Sequence, residues 1–338
     1  MMRCISKSVR CLWDKPASHL FQRHFISTST SLQDQLKPYT PRRAVLYVPG
    51  SDRRKIDKTA SLDADCIVLD CEDGVALNRK EEARRTIREV LHTGSVSFSG
   101  KDCSVRVNCV ESGHCETDLE HVLSARRLPD TLHLPKVDTV EHVTWFIDRL
   151  RKHMPADMKT PMNLILFTES AMGMLNLRAI CERTLELTSD LPLSLDGLVF
   201  GSDDFCADIG ATRTSEAREL LFARQNFVMI AKAFKLQAID VVYIDYKDLE
   251  GLRRQSEEGA QFGFTGKQVI HPGQVPVVQS AFSPSPERAE WAARLVEAFE
   301  KHQTSGKGAF TFGGHMIDRP LLLQAHNVLR MQTRSEAS

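Results

Sequence analysis

Eight short runs of Val, Ile, Leu and Phe recur along this chain, and each ends in a turn that carries polar, often charged, residues. The runs are Ala44–Pro49, Cys66–Asp70, Ser104–Asn108, Leu132–Pro135, Leu164–Phe167, Gly197–Phe200, Ala238–Ile244 and Gln268–Ile270. Apolar runs this short and this continuous predict strands buried on both faces. Helical patterns fill the gaps. Asn78-Arg-Lys-Glu81 has capping-box spacing, Ala83, Ile87 and Val90 follow on one face, and Gly94 ends the pattern. Asp138-Thr-Val-Glu141 opens the next helix, with Val143, Phe146, Ile147 and Leu150 facing inward. Ala217, Leu220, Leu221, Val228 and Ala231 form a longer apolar stripe. Strand, turn and helix alternate about every 30 residues, which is the βα unit. The prediction is an α/β fold, a closed (β/α)8 TIM barrel over residues 40–282, with its chemistry at the C-terminal strand ends. No sequence repeat accompanies the structural one.

The chain continues past the eighth strand. Ser283-Pro-Ser-Pro286 punctuates it, with Ser285 as N-cap and Pro286 at the first helical position. A helix through His302 then buries Trp291, Leu295 and Phe299. The stretch from Gly306 to Pro320 is glycine-rich yet apolar, so it reads as a hinged lid carrying Asp318 rather than a solvated linker. Residues 283–332 are therefore expected to be a C-terminal helical extension with a lid.

Composition narrows the function. The 338 residues are 42% hydrophobic and 26% charged, as in an ordinary globular protein. Lys and Arg total 44 against 44 Asp and Glu, a balance that argues against nucleic acid or a membrane surface as partner. No apolar run is long enough to span a bilayer. Nine cysteines form no CxxC pair, which predicts reduced structural thiols and disfavours zinc. Residues 1–33 differ from the rest: Arg3, Lys7, Arg10, Lys15 and Arg23 face one acid, Asp14, and Ser27 to Ser31 are all hydroxyl residues. That is the composition of a mitochondrial transit peptide, or of a disordered terminus.

The turns hold the candidate chemistry. Glu169 and Asp204 follow the fifth and sixth runs. Neighbouring barrel strands would bring them to one cation, and two carboxylates with open positions suit Mg²⁺. The plainer alternative is helix N-capping, and Asp203 competes with Asp204. Arg106 lies between Val105 and Val107, so it should grip a carboxylate in the barrel mouth or pair with Glu72 or Asp73. Glu72 and Asp73 themselves end the second strand, where they can fix metal waters, orient Arg106 or cap a helix. Gly50-Ser-Asp-Arg-Arg-Lys55 opens a helix, a place for an anion or for solvated basic side chains. Lys136 is a Schiff-base candidate made less attractive by the metal carboxylates. His271 before Pro272 reads as a turn residue. Asp318 is either a base whose proton affinity rises in a low dielectric or the cap of the last helix.

Five motifs carry a resemblance. Ala44-Val-Leu-Tyr-Val-Pro-Gly50, Cys66-Ile-Val-Leu-Asp-Cys-Glu-Asp-Gly-Val75, Phe167-Thr-Glu169, Phe200-Gly-Ser-Asp-Asp-Phe205 and Gly263-Phe-Thr-Gly-Lys-Gln-Val-Ile-His-Pro272 resemble, in order, the citrate lyase β-subunit and malyl-CoA lyase family. The resemblance spans roughly residues 40–330. It implies a (β/α)8 barrel, Mg²⁺, acyl-CoA thioesters and a homotrimer. It implies Glu169 and Asp204 as metal ligands, Arg106 on the keto-acid portion, and Tyr47 and Arg54 on the substrate and CoA side. Asp318 matches a catalytic lid aspartate that in relatives closes over a neighbouring subunit's site. Where the family often has Leu-Asp-Leu-Glu-Asp-Ala, this chain has Cys71 and Gly74. The implied reaction is retro-Claisen cleavage of citramalyl-CoA to acetyl-CoA and pyruvate in the mitochondrial matrix. Weak malate or citramalate (β-methylmalate) synthase activity, using glyoxylate or pyruvate, follows from reversibility. Alternatives are a malyl-CoA lyase or thioesterase with the same site, or a non-catalytic acyl-CoA-binding scaffold.

Overall fold

The computed structural model describes residues 40–156, 158, 160–304, 311–313, 315–317 and 319–332. The leader expected over residues 1–33 and the lid residue Asp318 lie outside these. Eight strands close into a parallel barrel in sequence order, β1 to β8. They are β1 Ala44–Pro49, β2 Cys66–Asp70, β3 Asp102–Arg106, β4 Thr131–Leu134, β5 Met162–Thr168, β6 Leu193–Phe200, β7 Gln237–Asp240 and β8 Gly266–Val269. β1 pairs with both β2 and β8, which closes the ring and leaves no strand edge.

The first two strands have the bounds that the sequence predicts. The third and fourth begin two and one residues earlier, because Asp102 and Thr131 find partners across the sheet in Cys66 and Ser104. The seventh run predicts a strand to Ile244, but pairing with β8 ends at Asp240. Beyond it the chain leaves the sheet to form the rim.

Eleven described helices surround or extend the barrel. They are α1 Arg53–Lys58, α2 Lys80–Thr93, α3 Cys115–Leu123, α4 Val140–His153, α5 Ala171–Thr188, α6 Ser202–Ile209, α7 Leu221–Ala233, α8 Leu249–Phe262, α9 Val275–Phe282, α10 Pro286–Thr304 and α11 Arg319–Gln332. α4 buries Val143, Phe146, Ile147 and Leu150, and Thr139 caps it. The capping box expected at Asn78 does not form: a 3-10 turn over Leu77–Arg79 precedes α2, which starts at Lys80 with no side-chain cap. Gly94 does end α2, in the left-handed region at φ 65. The stripe before α7 needs correction. Ala217 and Leu220 belong to the preceding turn, and Leu221 is exposed.

Two cores follow from the strand alternation. Val45, Cys66, Val68, Ile165, Phe167, Val199 and Ile239 fill the barrel interior, while the opposite strand faces pack under the helices. α10 and α11 build a third, smaller core around Leu295, Ile317 and Ala325. All described cysteines are free thiols, and only Cys109 is not buried. No described helix is long and apolar enough to cross a membrane.

The floor of the barrel is ionic. Arg42, fully buried, donates to Asp102 and Asp196 at 2.5 Å each and to Thr131 Oγ1 at 3.0 Å. Arg42, Asp102 and Thr131 stand at the N-terminal strand ends, opposite the mouth, and Asp196 joins them from within β6.

Candidate active site

A cavity of about 980 Å³ opens at the C-terminal strand ends. Its wall includes Tyr47, Asp70, Arg106, Glu169 and Asp204. The volume is that of a small-molecule site.

Arg106 ends β3 and points inward. Its Nε and Nη2 bind the two oxygens of Asp70 at 2.7 Å each. Its Nη1 lies 2.9 Å from Glu72. The guanidinium also sits 4.9 Å from the ring centre of Tyr47 and 5.8 Å from that of Phe167. Strand alternation explains the Asp70 contact: Cys66, Val68 and Asp70 share the inner face of β2, and Asp70 pairs with Arg106 in register. Asp70 was missed as a site residue, although that same period-two spacing marks it. It also accepts from the backbone of Glu72 and Gly74, which fixes the turn. A Cβ on Gly74 would lie 2.5 Å from Asp70 Oδ2, so glycine keeps this clamp open.

The capping alternative for Glu169 fails. Ser170 caps α5 by accepting from Gly173. Glu169 instead turns inward, buried, and its Oε2 accepts the backbone N–H of Lys136 at 3.1 Å. A Cβ on Gly201 would lie 2.5 Å from Glu169 Oε1, so only glycine leaves room for that carboxylate. Burial lifts the Glu169 pKa to about 8, helped by the nearby Glu72 and Asp204 and opposed by Arg106 and Lys136.

The pair Asp203 and Asp204 divides. Asp203 faces Arg213 at 3.6 Å, and Asp204 faces the Lys136 ammonium at 4.0 Å. Lys136 is therefore central. Its Nζ binds Glu72 at 2.7 Å and Asp73 at 3.1 Å. Burial opposes its charge, but Glu72 and Asp73 outweigh burial and push its pKa up. With its Nζ engaged by Glu72 and Asp73, the amine is held in ion pairs, which disfavours the Schiff-base role.

Tyr47 lines the cavity, and its buried hydroxyl has no hydrogen-bond partner among the described residues. Arg54 is exposed on α1, whereas Lys55 and Lys58 of that helix line the cavity. Lys58 carried no motif signal. The start of α1 is capped by Asp52, which accepts from the Lys55 N–H, so that terminus is already supplied with a carboxylate. His271 is a turn residue: its Nδ1 accepts from Gly273 at 3.0 Å, and its ring stacks on Tyr246.

Among the described residues, no group of three or more His, Cys, Asp and Glu forms a closed metal cage. The mouth is rich in carboxyl groups, and Lys55 and Lys58 line the same cavity. Five carboxylates, from Asp70, Glu72, Asp73, Glu169 and Asp204, meet two cations, Arg106 and Lys136.

Comparison with known proteins agrees with this architecture. The family model described as HpcH/HpaI aldolase/citrate lyase matches residues 43–272. The mitochondrial citramalyl-CoA lyase of Homo sapiens is 55% identical over 296 residues, covering 87% of this chain and 86% of that protein. The (3S)-malyl-CoA thioesterase of Cereibacter sphaeroides is 31% identical over 289 residues, covering 86% of this chain and 94% of that protein. Among solved structures, protein CitE from Mycobacterium tuberculosis in complex with magnesium, acetoacetate and coenzyme A matches with a TM-score of 0.66 and 28% identity. That match covers 87% of this chain and 98% of that one. With the barrel, its mouth and these likenesses in agreement, the chain belongs to the HpcH/HpaI aldolase/citrate lyase family.

Proposed function

We propose that this chain is a Mg²⁺-dependent carbon–carbon lyase that cleaves citramalyl-CoA to acetyl-CoA and pyruvate. The observation that carries the reading is the excess of carboxylates around Glu169, beside a clamped Arg106, in one roomy mouth. Mg²⁺ fits this donor set, since it takes few protein oxygens and leaves positions for substrate. Glu169 and Asp204 would hold it. When bound, it supplies Lewis acidity at the keto-acid oxygens.

The chain's own groups do the rest. Three of the five N–H groups of Arg106 are engaged by Asp70 and Glu72, which leaves two for a substrate carboxylate. The clamp holds them in place before substrate arrives, so little reorganisation is needed as charge develops. Tyr47 supplies a buried hydroxyl at the same wall. Lys55 and Lys58, also in the cavity wall, suit the phosphates of coenzyme A, alongside the exposed Arg54. Glu72 and Asp73 orient Arg106 and Lys136 rather than ligating the ion.

In the reaction, the substrate hydroxyl loses its proton and its carbon becomes the ketone of pyruvate. The electrons of the broken carbon–carbon bond pass into the thioester enolate. The hydroxyl proton passes to water; Asp318, as the neutral acid, protonates the α-carbon of the enolate to give acetyl-CoA and is itself reprotonated from water, so protons balance. In reverse, Asp318 deprotonates acetyl-CoA and the enolate adds to glyoxylate or pyruvate to give malyl-CoA or citramalyl-CoA; hydrolysis of that thioester by water then releases CoA and malate or citramalate, a weak synthase activity.

The likeness to a mitochondrial lyase and the basic leader support a mitochondrial matrix location. Exposed Leu175 on α5 and Phe222 and Met229 on α7 offer apolar side chains for contact between copies, in keeping with the homotrimer that the family resemblance implies. The 31% likeness to a malyl-CoA thioesterase favours one second reading, hydrolysis at the same site. One assay separates them. Citramalyl-CoA is supplied with and without a chelator, and products are identified. The lyase reading expects pyruvate and acetyl-CoA, lost with the chelator. Free CoA with citramalate means a thioesterase, and chelator-resistant turnover rejects the metal.

A further inference from the structure

Lys136 stands apart from the other residues of the mouth because it touches nearly every acid there. Its backbone N–H holds Glu169, and its ammonium binds Glu72 and Asp73 and faces Asp204. It does so at φ 53, a left-handed conformation in which a lysine is strained and glycine is not. Strain of this kind persists where the surroundings impose it, and it gathers at functional sites.

The oxygens of the four acids fall into two groups. Both oxygens of Glu72 are taken, Oε1 by Lys136 and Oε2 by Arg106 at 2.9 Å and by the Asp73 N–H at 3.1 Å. Both oxygens of Asp73 lie within 3.2 Å of the Lys136 ammonium. Among the described residues, Glu169 is held only through a neutral N–H, and Asp204 meets the ammonium at 4.0 Å, beyond hydrogen-bond distance. A hard divalent ion gathers oxygen ligands until its shell is full. A lyase ion must instead keep positions open for substrate oxygens.

We propose that Lys136 is a positioning residue that withholds Glu72 and Asp73 from the metal, so that Glu169 and Asp204 alone ligate it and the remaining positions stay open. The inference rests on the metal reading given above. Arg106 contributes on the far oxygen of Glu72, but Asp73 depends on Lys136.

The test uses the full chain with Mn²⁺ alone, without substrate. Spin resonance gives the affinity, and water-proton relaxation gives the number of waters on the bound ion. Lys136→Met is expected to bind Mn²⁺ about tenfold or more tightly, since a nearby positive charge is lost. The bound ion should carry about one or more fewer waters, displaced by the freed carboxylates. Lys136→Arg should keep affinity and hydration close to those of the unaltered protein. If Met at a left-handed position prevents folding, Lys136→Gly gives the same reading without strain. Unchanged affinity and hydration in these variants would overturn the inference and leave the metal reading intact. Weaker binding with unchanged hydration would also overturn it and reduce Lys136 to a support for Glu169. Failure of the unaltered protein to bind Mn²⁺, or equal binding by Glu169→Gln, would remove the metal reading and this inference together.

Discussion

The two ends of the barrel treat buried charge in opposite ways. At the floor, Arg42 is sealed from water and shares its donors among Asp102, Asp196 and Thr131. At the mouth, carboxylates outnumber cations, Glu169 is buried with its pKa raised to about 8, and the Tyr47 hydroxyl has no described partner. Glu169 and the Tyr47 hydroxyl are buried as Arg42 is, so exposure to solvent does not explain why they lack its charged partners. The floor is built to be finished by the chain alone. The mouth is built to be finished by something that arrives, and its local instability is carried by the rest of the fold.

The largest effect should come from breaking the floor. Arg42→Met leaves Asp102 buried without its charge partner, and removing one partner of such a pair costs about 3–5 kcal/mol. Denaturant unfolding should show that loss, while any folded protein keeps its cavity. A small loss would mean the floor is less sealed than its burial implies.

Glu169→Gln should reverse this pattern. Stability should stay level or rise slightly, because a strained carboxyl is replaced by a neutral group of the same shape. Activity should fall about a hundredfold to a thousandfold, as several kcal/mol of metal assistance is lost. Pyruvate release and thermal midpoint, measured together, check it. A collapse of the midpoint would make Glu169 structural and erase the contrast.

Gly201→Ala is a gentler probe. Its backbone accepts alanine at φ −86, so the new methyl acts only by pushing the Glu169 carboxyl aside. Activity should drop about tenfold, from sub-ångström displacement of a positioned group. Unchanged kinetics would show that the carboxyl need not sit where it does.

A last contrast concerns a sealed cation in the wall, whose effect shows only at alkaline pH. Lys267 is fully buried beside Asp240, 3.5 Å away, and donates to Gln255 at 2.7 Å. Burial pushes its pKa down to about 8 from an ordinary 10.5, against the attraction of Asp240. Between those two values the unfolded chain holds a proton that the folded chain lacks. This group therefore makes folding stability rise with pH from about 8 to 10.5. Lys267→Met should flatten that rise in pH-dependent unfolding, with Asp240 still held by Arg224 at 2.7 Å. An unaltered slope would place the titration elsewhere.

The sequence alone determined the eight-strand barrel, because burial on both faces writes apolar runs into most strands, although β7 and β8 bury Gln237, Asp240, Lys267 and Gln268. It also placed Glu169, Asp204, Arg106, Glu72 and Asp73 at the strand ends, since acids and arginine stand out where such runs stop. Five ordered motifs were enough to reveal the family. The tertiary structure decided which of those groups meet. Asp70 and Arg106 are 36 positions apart, and Lys136 and Glu72 are 64 apart, yet each pair stands 2.7 Å apart. It turned Asp203 toward Arg213 and Asp204 toward Lys136, and it placed Lys58 in the cavity wall. Local patterning fixes a residue's face and its end of a strand. Contact between charges depends on barrel closure and register, which no single segment contains.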